Sequence, residues 1–561
     1  MAIIGIDLGT TNSLVSVYRN GKTEQIPNAL GEYLTPSAVS LEGEDVIVGA
    51  VAKERLVTNP GETATGFKRK MGTDQMFTLG EKSFLPQELS AFVLRQLKED
   101  AENYLGEPVE EAVISVPAYF NDNQRAATKE AGLLAGLKVE RLINEPSAAA
   151  LAGRMQQEEE GVFLVFDFGG GTLDVSIVDI FENVIEIVAV SGDNQLGGND
   201  FDRKIAEYLC GCHNIEFQEL EPGLKATLLR LAEKSKRELT EKETVMFHYE
   251  IEGEDRGVFL NNEVLVKCFE ELFIRIGNTI ERALRDSGYH AEDLEDIILV
   301  GGSSKMPVVS YFLTSFLDRK PTLFGSPDEV VSQGAGIYGG MKERNEELKE
   351  LLLTDICPFT LGIGVVNPNR REDNRLVFSP IIERNTVLPS ANTERYSNVC
   401  DWQEKIVLKV HQGEEYYCED NLFLGELKLQ IKPMPAGQAC IYVTFAYDIN
   451  GILVVEARDG AEGEEVKKVF VNKNLRLSPE ELEEKTRELE KYKNKESANS
   501  RSEYTLARAR RAFAESTGIN RQRIGELLRQ YEGVLSVHDR ESAIKLQKIL
   551  EEFLDKLESF R

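Results

Sequence analysis

The order of apolar and polar positions divides the chain into three parts. From residue 1 to about 345, short apolar runs that end at glycines alternate with segments of helical spacing, which is typical of an α/β fold. From about 355 to 472, apolar and polar residues alternate strictly, as in Lys405-Ile-Val-Leu-Lys-Val410, and this pattern predicts β-strands. From residue 478, leucines recur at helical spacing among charged residues, and Ser478-Pro-Glu-Glu481 has the form of a helix N-terminus. The pattern therefore predicts an α/β part, a β part and a helical part.

Length and charge narrow the class of protein. The 561 residues suffice for three or four domains at about 150 residues each. The 65 Lys and Arg against 95 Asp and Glu give a net charge of −30, which disfavours nucleic acid and anionic membranes as partners. No apolar run approaches the roughly 18 residues that span a bilayer, and the first residues lack the basic region of a signal peptide. We therefore expect a cytoplasmic protein.

Seven cysteines are scattered along the chain, and none forms a C-x₂-C pair. Cys210 and Cys212 have a spacing that would allow metal chelation. Two small thiols kept reduced in the cytosol are the favoured interpretation.

The junction between the first two parts contains three consecutive leucines, Leu351, Leu352 and Leu353. A passive linker would be rich in Gly, Ser or Pro, and three exposed leucines would be costly in water. One interpretation is the tail of a helix or a buried edge strand. The other is a linker that docks into a groove in one state and is released in another.

Two segments of the first part repeat one pattern. Residues 4–13 and 163–174 each contain an apolar strand, an aspartate, a glycine turn and a threonine, and each continues into a second strand. Such hairpins expose backbone N–H groups that bind anions, so two facing hairpins would hold a polyphosphate from both sides. Asp7 and Asp167 would hold a hydrated Mg²⁺. The pattern therefore predicts a nucleotide site, and it is not a Walker P-loop.

Six longer motifs carry a resemblance to a known family. They are Gly5-Ile-Asp-Leu-Gly-Thr-Thr-Asn-Ser13, Val116-Pro-Ala-Tyr-Phe-Asn-Asp122, Ile143-Asn-Glu-Pro-Ser-Ala-Ala-Ala-Leu151, Asp167-Phe-Gly-Gly-Gly-Thr-Leu-Asp174, Leu196-Gly-Gly-Asn-Asp-Phe-Asp202 and Val300-Gly-Gly-Ser-Ser304. With them, residues 2 to about 475 resemble the seventy-kilodalton heat-shock chaperones of DnaK type. The resemblance implies an actin-like ATPase domain at 1–345, a hydrophobic linker at 346–355, a peptide-binding β-sandwich at 356–475 and a shortened helical lid at 476–561. The short lid points to a specialised bacterial, HscC-like branch.

The resemblance also implies roles for residues of the ATPase part. The catalytic set would be Lys68, Glu145, Asp174, Thr172, Asp7 and Asp167. Other residues that would bind ATP are Gly9, Thr10, Thr11, Asn12, Gly169, Gly170, Gly171, Gly197, Gly198, Glu233, Lys236, Arg237, Thr240, Gly301, Gly302, Ser303, Lys305 and Asp328. ATP or ADP, Mg²⁺ and K⁺ would be the cofactors. Arginine is usual in the family where this chain has Lys305, so the stacking on adenine would be weaker.

Residues 233, 236, 237 and 240 also form a pattern of their own. Their spacing of i, i+3, i+4 and i+7 places all four on one face of a predicted helix. In the family such a face contacts the adenosine. Without the resemblance, a solvated face with salt bridges is the favoured interpretation.

In the β part, the resemblance assigns a groove for an extended hydrophobic peptide. Its lining residues would be Ile363, Val366, Tyr396, Val399, Ile406, Leu408 and Val410. Ile406 would form the central pocket, and Val366 and Val399 would form an arch over the peptide. The alternative is that each of these side chains belongs only to the core of the sandwich.

The resemblance further implies coupling and partners. Coupling between the domains would use Pro117, Arg125, Leu351, Leu352, Leu353 and Asp355, and a J-domain co-chaperone would contact Arg141, Asn144 and Asp355. Dependence on a nucleotide-exchange factor is in doubt because the segment 250–257 is short. We expect a monomer. ATP would favour the docked linker and fast peptide exchange, and ADP the closed state.

Three other functions remain open. The actin-like fold also serves sugar kinases and filament proteins, and fold alone does not determine function. A kinase would not need a β-sandwich with a helical lid, and a filament protein would lack residues 355–561. A nucleotide-dependent binding module with little refolding activity, dedicated to one client protein, is not excluded by the sequence.

Overall fold

The computed structural model describes residues 2–156, 160–251, 254–323, 325–345, 348–366, 375–448, 451–460, 465–470, 479–494 and 500–559. The strands of the first part are β1 (Ile3–Asp7), β2 (Asn12–Arg19), β3 (Lys22–Ile26), β4 (Thr35–Pro36), β5 (Ala38–Glu42), β6 (Asp45–Val48), β7 (Thr63–Thr65), β8 (Phe77–Leu79), β9 (Lys82–Phe84), β10 (Glu111–Val116), β11 (Leu142–Asn144), β12 (Gly161–Phe168), β13 (Leu173–Phe181), β14 (Val184–Asp193), β15 (Thr244–Ile251), β16 (Glu254–Asn261), β17 (Leu294–Val300) and β18 (Thr322–Leu323). Its helices are α1 (Ala50–Thr58), α2 (Pro86–Leu105), α3 (Asp122–Leu134), α4 (Glu145–Gln156), α5 (Gly198–Cys212), α6 (Pro222–Glu238), α7 (Asn262–Cys268), α8 (Glu270–Ser287), α9 (Pro307–Leu317) and α10 (Val330–Lys342).

The rest of the chain is mainly strands and then helices. The strands are β19 (Leu352–Thr354), β20 (Leu361–Val365), β21 (Val377–Ile382), β22 (Ser390–Tyr396), β23 (Lys405–Gln412), β24 (Leu422–Gln430), β25 (Ile441–Tyr447), β26 (Leu453–Asp459), β27 (Glu465–Phe470) and β28 (Lys493–Asn494). The helices are α11 (Pro479–Leu489), α12 (Arg501–Glu515), α13 (Gly518–Ser536) and α14 (Arg540–Ser559). Ser478 and the predicted boundary near 475 lie outside the described residues, as do residues 252–253 and 346–347.

The first part contains two large sheets of matching topology. One has the order β11-β10-β1-β2-β3, and the other has the order β18-β17-β12-β13-β14-β19. In one sheet β1 pairs antiparallel with β2 and parallel with β10. In the other, β12 pairs in the same way, antiparallel with β13 and parallel with β17. The predicted α/β class and the internal repeat are therefore confirmed. We call residues 2–156 the N-terminal half and residues 160–345 the C-terminal half.

Helix α10 joins the two halves through glycines. A Cβ atom on Gly5 of β1 would lie 2.1 Å from the backbone nitrogen of Gly336, and one on Gly334 would lie 1.8 Å from the carbonyl oxygen of Ala148. The backbones therefore touch directly, and side chains at these positions would force the elements apart. This packing fixes how the two halves face each other.

The leucine segment forms an edge strand. β19 pairs in parallel with β14, and the Leu352 backbone N–H donates to the Asn183 carbonyl oxygen at 2.9 Å. Leu351 and Leu353 are half-buried against a core cluster of the first part, while Leu352 is 60% exposed. The segment is therefore an edge strand and not the tail of a helix, and its docked position is also the one that the linker interpretation requires in one of its two states.

The β part consists of two four-stranded antiparallel sheets, β21-β20-β23-β24 and β22-β25-β26-β27, which share one apolar core. It contacts both halves of the first part. Arg384 donates two hydrogen bonds to the Asp286 carboxylate, at 2.9 and 3.0 Å, in the C-terminal half. Tyr447 Oη donates to Asp122 Oδ1 at 3.2 Å in the N-terminal half. The β part is thus docked on the first part.

The C-terminal helices also lie against the first part. α12, α13 and α14 form a three-helix bundle around an apolar core that includes Leu527, Tyr531 and Leu554. α12 packs on α1, and β28 extends the sheet of β6 in parallel. Arg95 of α2 donates to the Tyr492 carbonyl oxygen at 2.7 Å. Among the described helices, none has both the length and the apolar character needed to cross a membrane.

Candidate nucleotide site

A cavity of about 310 Å³ lies between the two repeated hairpins. Both halves of the first part line it. The predicted residues that line it are Asp7, Gly9, Thr10, Thr11, Asn12, Lys68, Glu145, Asp167, Gly169, Gly170, Thr172, Glu233, Lys236, Arg237, Thr240, Gly301, Gly302, Ser303, Lys305 and Asp328. Further lining residues, to which no role was assigned from the sequence, are Leu14, Leu34, Asn199, Asp202, Met306, Pro327 and Val331. Asn199 and Asp202 lie within the motif at 196–202, which could have pointed to them, whereas the others carried no pattern of their own.

Glycines allow the two hairpins to touch. A Cβ atom on Gly170 would lie 1.9 Å from Thr11 Oγ1, and one on Gly171 would lie 2.4 Å from Thr10 Cγ2. Any side chain at these two positions would push the hairpins apart. The glycine turn is therefore required for one phosphate-sized space bordered by both hairpins.

Four predicted residues do not line the cavity. Gly171 packs against Thr10, and Gly198 donates its N–H to the Gly169 carbonyl oxygen at 3.0 Å. A Cβ atom on Gly197 would lie 2.4 Å from the backbone nitrogen of Gly171. Asp174 is buried, and its Oδ1 accepts the Tyr119 backbone N–H at 3.1 Å. The structure places these residues in the supporting wall.

Lys68 stands among carboxylates at the floor of the cavity. It lies in a 3₁₀ turn at Phe67–Lys70, and its Nζ is 2.8 Å from Glu145 Oε1. The Lys68 side chain is only 4% exposed. Burial would lower the pKa of Lys68, but the charges of Glu145 and Asp7 outweigh it and raise the pKa. Lys68 is therefore a charged ammonium group inside the site.

The aspartates of this cluster are held close together. Burial, with the charge of Glu145, raises the pKa of Asp7 to about 7. The same two causes raise the pKa of Asp174 to about 7 and the pKa of Asp167 well above its usual value. A cation between the hairpins would favour the ionised carboxylates and relieve their repulsion.

The donor set fits a hydrated Mg²⁺. Within the described part of the chain, no three His, Cys, Asp or Glu side chains meet as direct metal ligands, Cys210 and Cys212 included. Thr11 Oγ1 is buried and has no hydrogen-bond partner among the described residues. Two aspartates and an unpaired hydroxyl match an ion that keeps most of its water shell.

One expectation about the adenosine side needs correction. Glu233, Lys236 and Arg237 lie on α6, but the helix ends at Glu238, so Thr240 is not on its face. The Thr240 hydroxyl instead donates to the Arg237 carbonyl oxygen at 2.7 Å, within a turn that follows the helix. The turn still brings Thr240 to the cavity wall. Helical spacing alone did not reveal where the helix stops.

Opposite α6, Lys305 closes a short 3₁₀ turn at Gly302–Lys305. Its Nζ is 2.5 Å from Asp328 Oδ2. On α6 itself, Lys236 Nζ is 2.7 Å from Asp202 Oδ1. Each cation is thus held beside the cavity by a carboxylate.

The predicted groove residues divide by burial. Ile363, Leu408 and Val410 belong to the core of the β part, and Tyr396 and Ile406 are half-buried against it. Val366 and Val399 are 50% and 54% exposed. Tyr396 and Ser379 hydroxyls lie 3.1 Å apart, which links the two sheets.

Two of the predicted coupling residues, Arg125 and Asp355, are joined by a chain of hydrogen bonds through Asn144. Arg125 Nη2 donates to Asn144 Oδ1 at 2.6 Å, and Asn144 Nδ2 donates to Asp355 Oδ2 at 2.7 Å. Burial raises the pKa of Asp355. Pro117 lies just before this chain, and its carbonyl accepts the Phe120 N–H at 3.1 Å. Arg141 points elsewhere and donates to the Tyr338 hydroxyl at 3.0 Å.

Comparisons with known proteins agree with this geometry. The model of the Hsp70 protein family matches residues 3–78 and 74–545. The chain is 39% identical over 511 residues to the chaperone protein DnaK of Thermotoga petrophila, which covers 88% of this chain and 84% of the relative. The DnaK proteins of Thermotoga maritima and Thermotoga neapolitana match at the same identity and over the same shares. The chain therefore belongs to the Hsp70 family of ATP-dependent chaperones.

Proposed function

We propose that the nucleotide cavity controls a peptide site in the β part through the linker strand. The chain is an ATP-dependent chaperone and hydrolyses ATP. The observation that carries the proposal is the position of β19, which is an edge strand of the C-terminal half and leads directly to Asp355. In this scheme ATP favours the docked arrangement seen here, and ADP favours the arrangement with the linker released.

Hydrolysis would depend on positioning and charge. The two glycine turns would hold the β- and γ-phosphates, while the Lys68 ammonium would stabilise the charge that develops on the γ-phosphate. Glu145 would keep Lys68 in place and orient the attacking water. Asp7 and Asp167 would hold Mg²⁺ through water, and the ion supplies further charge neutralisation on the phosphates. Asp174 does not line the cavity and would act by positioning adjacent groups, such as the Tyr119 backbone that donates to it.

We divide the chain into an ATPase domain at 1–345, a linker at 346–355, a β-sandwich at 356–475 and a lid at 476–561. Extended hydrophobic polypeptide segments would bind in the groove that contains Ile406. A J-domain co-chaperone would contact Arg141, Asn144 and Asp355, and the protein would act as a cytoplasmic monomer. The binding of K⁺, the doubtful dependence on an exchange factor and an HscC-like branch stay predictions.

The test is the dissociation of a fluorescent extended peptide from the ADP-loaded chain after mixing with ATP or with buffer. We expect release to be faster with ATP. Peptide binding that ATP does not change would contradict the coupling. ATP hydrolysis without binding of this peptide would favour a module dedicated to one client. On a peptide array, such a module would bind only a narrow range of peptide sequences. Sugar phosphorylation or ATP-dependent sedimentation would instead favour a kinase or a filament.

Peptide affinity should respond to the side chain at residue 406. We expect Ile406→Phe to weaken binding by about tenfold, because the Ile406 side chain is half-buried and a larger ring would fill the groove that we assign to it. Val407→Phe is the matched control, since Val407 is the next residue of β23 and its exposed side chain points to the opposite face. Equal loss in both variants, measured by fluorescence anisotropy, would contradict the groove assignment.

Nucleotide affinity should respond to residue 305. We expect Lys305→Arg to tighten ADP binding by about threefold to fivefold, because a planar guanidinium stacks on adenine better than an ammonium. Lys320→Arg, at an exposed position of the same half, should leave the affinity unchanged. Isothermal titration calorimetry measures both. Unchanged or weaker binding in Lys305→Arg would place the adenine elsewhere.

A further inference from the structure

The C-terminal helix bundle contacts both halves of the first part, and one of the two contacts is with α6, a helix that lines the nucleotide cavity. On the N-terminal half, Tyr504 and Ala507 of α12 pack against a small apolar cluster that includes Val51 and Ala52 of α1. On the C-terminal half, the bundle reaches α6, the helix that carries Glu233 and Lys236 of the cavity wall. One bundle thus lies across the two sides of the cleft.

Charged side chains make the second contact. Arg230 of α6 donates from Nε and Nη2 to the two Glu515 carboxylate oxygens, at 3.0 and 2.6 Å. Arg511 donates from Nη1 to the same carboxylate at 2.9 Å. Arg511 also pairs with Glu54 of α1 and with Glu558 of α14. Glu515 and Arg511 therefore link α6 to α1 through the bundle.

The centre of the network is shielded from water, while Arg230 at its edge is 25% exposed. The side chains of Arg511 and Glu515 are 4% and 3% exposed. Ion pairs of this kind are little weakened by salt, and loss of one partner leaves an unpaired buried charge. The geometry therefore makes separation of the two sides costly while the bundle is docked.

The two sides also meet directly. Lys53 precedes Glu54 on α1, and its Nζ lies 3.2 Å from Glu233 Oε2 of α6. α1, α12 and α6 are thus joined pairwise, and the α1–α6 contact is made by Glu233, which lines the cavity. If α1 and α6 separate to release a nucleotide, either the Glu54–Arg511 pair or the Arg230–Glu515 pair must break.

We propose that the docked lid is a clamp across the nucleotide cleft, which slows the departure of bound nucleotide. Its link to ATP rests on the proposed function, which makes the docked arrangement the ATP state. The lid would then act on the nucleotide site as well as on the peptide site. An intramolecular contact would thus determine how long ATP stays bound.

The test uses the full chain loaded with Mg²⁺ and a fluorescent, non-hydrolysable ATP analogue, which is then chased with excess ATP. We expect Arg230→Met to speed analogue release by about threefold to tenfold, because it removes the ion pair between Glu515 and α6, although Lys234 of α6 still donates to the Glu558 carbonyl oxygen of α14. Lys225→Met is the matched control, since Lys225 is on the same helix and its Nζ donates to the nearby Gln218 carbonyl oxygen at 2.6 Å. It should release the analogue at the wild-type rate. An unchanged rate in Arg230→Met would overturn the clamp.

Two further variants separate a clamp from general damage. Arg230→Lys keeps one ion pair with Glu515, so its release rate should fall between those of the wild type and Arg230→Met. Glu515→Gln should also speed release, and the double variant with Arg230→Met should be no faster than the faster single variant. Additive effects would overturn the clamp because the two residues would then act separately. Thermal unfolding measures whether each variant remains folded.

A parallel chase of a fluorescent ADP analogue distinguishes the clamp from the proposed function. We expect Arg230→Met to leave ADP release unchanged, because the lid would be undocked in that state. Equal acceleration of ADP release would overturn the link to ATP. If ATP does not change the rate of peptide release from the wild-type chain, the proposed function is overturned. The analogue chase is made without peptide, so it still tests the clamp in that case.

Discussion

Lys68→Met is expected to lower the rate of ATP hydrolysis by about 10²- to 10³-fold while the protein still binds nucleotide. Lys68 is the buried cation at the floor of the cavity, 2.8 Å from Glu145, so its loss removes the charge that stabilises the γ-phosphate in the transition state. Binding should persist because the glycine turns and α6 are unchanged. Single-turnover hydrolysis of radiolabelled ATP measures the rate, and calorimetry measures the affinity.

Lys70→Met is the matched control for this prediction. Lys70 ends the same 3₁₀ turn but does not line the cavity. Its variant should hydrolyse ATP at the wild-type rate. If both variants lose activity equally, the turn as a whole would matter and the Lys68 ammonium would have no special role. If Lys68→Met retains full activity, another cation must stabilise the γ-phosphate.

Leu353→Asp is expected to abolish the acceleration of peptide release by ATP. Leu353 is half-buried against the core of the first part. Burying an aspartate carboxylate there would cost desolvation free energy, so the strand would detach from the sheet edge to expose the charge to water. β19 would then no longer pair with β14. Peptide binding and ATP hydrolysis should both persist as separate activities, since neither site is altered.

Leu352→Asp is the control that the structure provides. Leu352 is the preceding residue of the same strand, and its side chain is 60% exposed. An aspartate at this position meets water, so ATP should still accelerate release of the fluorescent peptide. Loss of the ATP effect in both variants would mean that composition of the linker matters and its docking does not. Retention of the effect in both would contradict the coupling through β19.

The local patterns of the sequence were sufficient for the nucleotide hairpins. An apolar strand, an aspartate and a glycine turn are contiguous, so both copies of the motif predicted β1–β2 and β12–β13 as antiparallel pairs. The same contiguity made the alternating strands of the β part predictable. Each of these features depends on residues within about twenty positions of one another. The alternation of apolar and polar residues with a period of two therefore indicates the strands directly.

Contacts between distant residues were not predictable in this way. Thr240 has helical spacing from Glu233, but the helix ends at Glu238, and only the folded turn brings Thr240 to the cavity. Asp122 meets Tyr447, which is 325 positions away, and no pattern around either residue signals the other. Likewise, Leu351, Leu352 and Leu353 are identical residues whose exposures differ because the segment docks with Leu351 and Leu353 against the core and Leu352 towards water.

The sequence by itself determined the order of an α/β part, a β part and a helical part, the two phosphate hairpins and the family. Tertiary structure alone decided that α12 lies on α1 and that Arg511 and Glu515 link α1 to α6. The physical reason is that hydrophobic period and turn chemistry are properties of a short stretch of chain. An ion pair between Arg230 and Glu515, 285 positions apart, exists only once both elements have folded and docked.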